Sequence, residues 1–366
     1  MCRYLLLFLL PAALLPQENQ GVLPEGPGLA ARYRGDAGIE RDPAVVFVED
    51  FGSGTLASLA ARWSDISNRN GKVLDFTEDL PEGSASRWSL RMTATRNVDS
   101  GGHLYRTFQP GYDRLFLRFY VKFAPDAGFN HHFVSLGGEI DPPKHAVGRA
   151  GLRPVDRWNS GIEPVAVSQH SGGTVLPPPG IWHFYTYWPE MRSWQSPEGK
   201  ATNDSGTAYY GNNFEPAEPV PAPRGEWIPV EIMVKMNSSP EAYDGEQAVW
   251  IGGKLAGRFA RGTMKGAWLR DQFRVDPAGG PFEGFRWRTD MRVTINKLWL
   301  SHYVSSEAAF PRTAKYAAGH PDFHVNTEQQ TVWFANVVAA TEYVGPLGRA
   351  GGEDAPAARR RPRGTR

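Results

Sequence analysis

The chain has 366 residues, 41% hydrophobic and 12% aromatic, which is ample material for a packed core and argues against disorder as its default state. Its 40 Gly and 30 Pro suit short strands joined by many turns and exclude a bundle of long helices. The net charge of +1 leaves no global basic field for nucleic acid, and even that excess is local, since residues 349–366 carry six Arg against Glu353 and Asp354.

Along the chain, Met1-Cys2-Arg3 precedes an apolar run from Tyr4 to Leu15, the pattern of a secretory signal peptide. We place the signal at residues 1–20, with cleavage between 13 and 21 and a secreted or periplasmic destination. The run falls short of the roughly 20 residues of a membrane-spanning helix, so no membrane span is expected. Cys2 is the only cysteine, so the mature chain would have no disulfide, thiolate nucleophile or thiolate metal site. Residues 21–44, rich in Gly, Pro and charge, read as an arm leading to a first strand at Val45–Val48. Leu56, Leu59, Ala60 and Trp63 fall at helical spacing behind the candidate caps Ser53 and Thr55, which predicts one short helix.

From residue 73 the period becomes two. Trp88, Leu90, Met92 and Ala94 alternate with Arg87, Ser89, Arg91 and Thr93, and Leu115, Leu117, Phe119, Val121 and Phe123 alternate with Phe116, Arg118, Tyr120 and Lys122. Further strands are predicted at Trp182–Trp188, Val230–Asn237, Gln247–Ile251, Val293–Tyr303 and Thr331–Val344, with a change of phase at Asn296 and Lys297 that suggests a bulge. Many short strands without intervening helices predict an all-β antiparallel sandwich over residues 45–346. Residues 137–180 and 189–226 read as long functional loops, and residues 347–366 as a disordered basic tail.

Val46-Phe47-Val48-Glu49-Asp50-Phe51, the Leu115–Phe123 strand, Trp227-Ile228-Pro229-Val230-Glu231, Lys235-Met236-Asn237 and Trp250-Ile251-Gly252-Gly253-Lys254 resemble the concanavalin A-like jelly rolls. The resemblance is to secreted polysaccharide lyases of the alginate and glucuronan type, and it spans residues 43–346. It implies a jelly roll whose concave sheet lines a groove for an acidic polysaccharide. The Gln-Ile-His or Gln-Val-His motif of one large alginate lyase family is approached only by Ser168-Gln169-His170 and is not carried over. Glu139-Ile140-Asp141 begins the Glu-x-Asp-x-x-Glu pattern of glycosidases on this fold, but Pro142 and Pro143 follow and no third Glu arrives, which makes a glycoside hydrolase the weaker reading.

Alternation selects the polar groove candidates: Arg118, Tyr120 and Lys122; His183, Tyr185 and Tyr187; and Glu231, Lys235 and Asn237, with His131 and His132 at a strand start. This set is rich in Arg, Lys, Tyr and His and poor in paired carboxylates. Such a composition suits β-elimination on a uronate. There a cation or amide neutralises the carboxylate beside the C5 proton, and a base and an acid then act across the glycosidic bond. Arg118 and Lys122 would neutralise; Tyr120, Tyr185, Tyr187, His132 and His183 would supply base and acid. Glu231, Lys235, Asn237, Trp194, Tyr209 and Tyr210 would bind sugar. Glu49, Asp50 and Asn336 could hold a structural Ca²⁺ between first and last strands. The expected partner is a uronic-acid-containing polysaccharide, met by a monomer. A non-catalytic carbohydrate-binding module and a structural extracellular protein stay open as alternatives.

Overall fold

The computed structural model describes residues 21–173, 175–194, 208–305 and 328–348. The expected signal peptide, all of the basic tail beyond Gly348 and residues 195–207 of the second long loop lie outside the described residues. The strands in chain order are β1 Val45–Glu49, β2 Asp65–Ser67, β3 Leu74–Thr77, β4 Ser89–Thr95, β5 Gly101–Tyr112 and β6 Arg114–Phe123. They continue with β7 Val134–Glu139, β8 Arg157–Val165, β9 Ile181–Tyr187, β10 Asn212–Phe214, β11 Ile228–Lys235 and β12 Glu246–Ile251. The last are β13 Lys254–Phe259, β14 Lys265–Leu269, β15 Gln272–Val275, β16 Gly280–Pro281, β17 Ile295–Tyr303 and β18 Gln329–Ala340. One α-helix, α1 Leu56–Ala60, occurs among the described residues, and Thr55 caps it by accepting the Ser58 N–H. No helix among them is long and apolar enough to cross a membrane.

Two sheets pack face to face in an all-β jelly-roll sandwich. One runs β13-β12-β11-β6-β18-β4-β3 with β1 also on β18, and the other runs β16-β14-β15-β10-β9-β8-β7-β17-β5-β2. Pairing is antiparallel throughout except between β10 and β15. Leu117, Phe119 and Val121 from the first sheet meet Ile162, Phe184, Leu298 and Leu300 from the second in the shared core, all of them fully buried. Alternation fixes this, because each strand turns its odd or even residues inward as a set. The phase change in the Val293 region is a real irregularity: the register of β17 against β5 shifts between Ile295 and Lys297.

The first sheet departs from the simple sandwich on its outer face. Residues 21–44 and 341–348 lie across it and bury Phe116, Arg118 and Tyr120 together with the inward set. Leu29, Ala30, Ile39 and Ala44 of the arm pack on Val338, Ala340 and Val344, while Tyr343 packs on Phe116 and Trp250. Among the described residues the second sheet carries no such cover over its central strands, and its outer face holds the cleft.

Candidate functional site

The cleft, with a volume of about 570 Å³, lies on the outer face of β5, β17, β7, β8 and β9. Hydrogen-bonded register builds its floor. Trp299 on β17 stands beside Tyr105 on β5 and Ser135 on β7; Ser135 pairs with Gly161 on β8, and Gly161 with Tyr185 on β9. The next rung reads Lys297, Gly137, Asn159 and Tyr187. Ser135, Gly137 and Gly161 thus form a low centre between taller walls of Tyr105 and Trp299 on one side and Tyr185 and Tyr187 on the other. A trough with aromatic walls and a floor of small residues is the shape that admits a sugar ring.

His132 sits at the start of β7 with its side chain 39% exposed, and its Nδ1 lies 3.2 Å from Glu163 Oε2. The other carboxylate oxygen of Glu163 lies 3.7 Å from His183 Nε2, and both Glu163 and His183 are buried. Burial opposes the charge of Glu163, but the charge and hydrogen bonds of His132 and His183 outweigh it and bring its pKa down to about 2. An ionised carboxylate can only accept, so His132 Nδ1 donates and Nε2 is left as the basic nitrogen. Burial by itself would lower the pKa of His132; the adjacent Glu163 charge reverses that and raises it above the ordinary value of 6.5. The ring is held between aromatic neighbours, Tyr185 at 5.2 Å and Tyr303 at 5.8 Å between centroids.

Tyr185 and Tyr187 place their hydroxyls 3.5 Å apart. Burial raises both phenol pKa values, so both stay protonated at neutral pH and can donate. The cations of the cleft are Arg69, Arg149, Arg157 and Lys297, against the carboxylates Glu139 and Glu163. Glu139 is shared by Arg149 at 2.5 Å and Lys297 at 3.1 Å, and although burial opposes its charge these partners lower its pKa. Arg157 forms no ion pair among the described residues; it faces the cleft beside Asn159 with one long bond to the Leu152 carbonyl. Both cleft carboxylates are therefore fully ionised at neutral pH. A retaining or inverting glycosidase needs one carboxyl kept protonated as its acid, and neither Glu139 nor Glu163 meets that requirement.

The structure brings His132, Tyr185, Tyr187 and Tyr210 to the cleft, with His183 beneath it. It does not bring the others there. Arg118 is fully buried under the arm on the opposite sheet, paired with Asp36 at 2.6 Å and donating to the Asn336 carbonyl at 2.7 Å. Tyr120 accepts the Leu347 N–H, and burial raises its pKa, the reverse of activation by flanking cations; Lys122 pairs with Asp79 in the loop after β3. Glu231 accepts the Val344 and Gly345 N–H groups, Lys235 pairs with Glu246, and Asn237 is tied to Arg288. Tyr209 is buried and bridges backbone to Gly151, whereas Trp194 is 41% exposed with its ring 6.0 Å from Tyr210. The proposed Ca²⁺ ligands serve protein donors instead: Glu49 accepts from Phe51 N and Trp63 Nε1, Asp50 from Gly52 N, and Asn336 from Ser84 Oγ. No cluster of three or more His, Cys, Asp or Glu suited to a metal occurs among the described residues.

Glu163, Arg149, Arg157, Asn159, Lys297 and Tyr303 were not among the sequence candidates, and Glu139 entered only as the start of a glycosidase pattern. A signal for β8 existed, since Trp158, Ser160 and Ile162 alternate with Arg157, Asn159, Gly161 and Glu163, but Gly161 and Pro164 gave the segment the composition of a loop.

No protein-family model matches the chain, and no curated protein matches it. Solved structures do. A Chlorella virus alginate lyase is 12% identical, with 81% of this chain and 99% of that chain covered at a TM-score of 0.49. The endo-β-1,4-glucuronan lyase of the fungus Trichoderma reesei is 13% identical, with 81% and 95% covered at 0.42, and a cellulose-induced protein is 12% identical, with 82% and 100% covered at 0.41.

Proposed function

We propose that this protein binds an acidic polysaccharide in the cleft and cleaves it by β-elimination. The observation that carries the reading is the Glu163–His132 pair set against two protonated tyrosines on a wall with surplus cations. Arg157 and Asn159 receive the substrate carboxylate and so make the adjacent C5 proton acidic enough to remove. His132 Nε2 takes that proton; Glu163 fixes the tautomer and stabilises the imidazolium that forms. The C4–O bond breaks as the C4–C5 double bond forms, and Tyr185 donates its proton to the leaving oxygen while Tyr187 orients it. Tyr210 extends the aromatic wall toward a neighbouring sugar, backed from outside the cleft by the Trp194 ring at 6.0 Å. Export to the cell exterior fits such a substrate and rests on the apolar run from Tyr4 to Leu15.

The test is a panel of polymers: polyguluronate, polymannuronate, glucuronan, and neutral glucans as controls. The expected result is ultraviolet absorbance from unsaturated uronyl ends with at least one uronate polymer and none with glucans. Binding of uronate polymers without such ends at any pH would replace the lyase with a binding module.

A further inference from the structure

The cleft does not end at β5. Past Gly101 and Gly102 it meets a second hollow of about 410 Å³, and Arg69 and Ser100 line both. Beyond β5 this hollow is bounded by Asn70, Lys72 and Asp99. Asp99 already accepts the Thr95 and Gly101 N–H groups. Arg69 and Lys72 have no side-chain hydrogen bond or ion pair among the described residues, so the hollow holds two cations against the single carboxylate of Asp99.

Their presentation is built into the backbone. Arg69, Asn70 and Gly71 all take positive φ, at 45°, 57° and 86°, a run that only the glycine adopts without steric cost. The Asn68 side chain holds this turn by accepting the Leu74 N–H at 2.8 Å. On the same flank, one level higher, the cleft is roofed. The segment around residues 143–146 crosses to the edge of the sheet, where Tyr105 donates to the Pro143 carbonyl at 3.1 Å and Asp65 accepts the Ala146 N–H at 2.9 Å. A chain lying in the trough and leaving on this side is therefore directed past Gly101 and Gly102 to Arg69.

We propose that the Arg69–Lys72 hollow is a distal subsite that binds the anionic group, carboxylate or sulfate ester, of a further sugar of the same acidic polysaccharide. This rests on the acidic-polysaccharide reading of the cleft and adds a length requirement to it. Short chains occupy the trough and meet Arg69 at most, and longer ones gain both ion pairs.

The experiment measures affinity for uronate oligomers of graded length at about pH 5, where protonated His132 cannot act as base and the ligand stays intact. Arg69→Gln/Lys72→Gln is compared with Lys254→Gln/Arg270→Gln, which removes the same charge outside both cavities. Each partly exposed ion pair contributes up to about a factor of five, so the first variant should lose about five- to tenfold for long oligomers and distinctly less for the shortest, which meet Arg69 at most, and the difference should fade at high salt. The control should keep wild-type affinity at every length. Equal losses in both variants, a loss independent of length, or no loss while wild-type binding is intact would overturn the subsite and leave the cleft reading standing. Failure of the wild type to bind any uronate oligomer would overturn both.

Discussion

His132 cannot be both the group that Glu163 holds protonated and a free base at the same pH, and this sets the pH behaviour of the site. With its pKa raised by Glu163, His132 becomes a base only above its ordinary value of 6.5, so turnover should rise with pH through a midpoint on the alkaline side of that value. Glu163→Gln removes the charge and leaves burial, which favours neutral imidazole. The midpoint should then move to lower pH and the plateau should fall, because the imidazolium formed in the reaction loses its counter-charge. An unchanged midpoint in the pH–rate profile would remove His132 from the base role. Tyr185→Phe should reduce turnover by about 10²–10⁴-fold with KM little changed, as expected for loss of a general acid, and steady-state kinetics on the same polymer checks it. Sequence periodicity found Tyr185 and Tyr187 because β9 alternates cleanly, and His132 was a candidate because it precedes a strand start. It could not find Glu163, whose role depends on pairing β8 beside β9 and on His132 reaching it from the start of β7.

Strand β6 shows what alternation can and cannot decide. It separates Leu117, Phe119 and Val121 from Arg118 and Tyr120, and both predicted faces exist. It does not say which of two sheets bears the groove, nor that an arm more than 70 residues upstream covers one of them. Arg118 is thus structural: with Asp36, Asn336 and Ser84 it fastens the arm to the bulged part of β18, where Asn336 takes a φ of 50°. Removing one partner of such a buried pair costs about 3–5 kcal/mol. Arg118→Ala should therefore destabilise the fold about as much as Phe119→Ala, for which emptying a large core site also costs about 3–5 kcal/mol. Denaturant melts of the two variants compare them directly; a neutral Arg118→Ala would mean that the arm contributes little.

At the scale of the whole molecule, the two sheets differ among the described residues: residues 21–44 and 341–348 seal the outer face of one, and the outer face of the other holds the cleft. Glu231 sits at the seal, holding Val344 and Gly345, and burial raises its pKa to about 7 despite those hydrogen bonds and the nearby Arg118. In the unfolded chain it would ionise near 4.5, so its contribution falls as pH rises from about 4.5 to 7 and then levels off. Buried His302, with its pKa lowered to about 4, contributes in the opposite sense over nearly the same window, so the check is the difference: relative to wild type, the melting temperature of Glu231→Gln should gain as pH rises from about 4.5 to 7. An equal slope in both proteins would place the effect elsewhere.

The sheet with the cleft carries the central claim, elimination by His132 and Tyr185 in place of hydrolysis by a carboxyl pair. Mass spectrometry of products formed in water enriched in heavy oxygen tests it most directly. Elimination adds no water, so the fresh chain ends should carry no label from the bond-breaking step, and the non-reducing ends should be lighter than hydrolytic ends by one water. Heavy oxygen at the newly formed reducing end, beyond that from exchange in a product control, together with saturated non-reducing ends, would show hydrolysis and contradict the account.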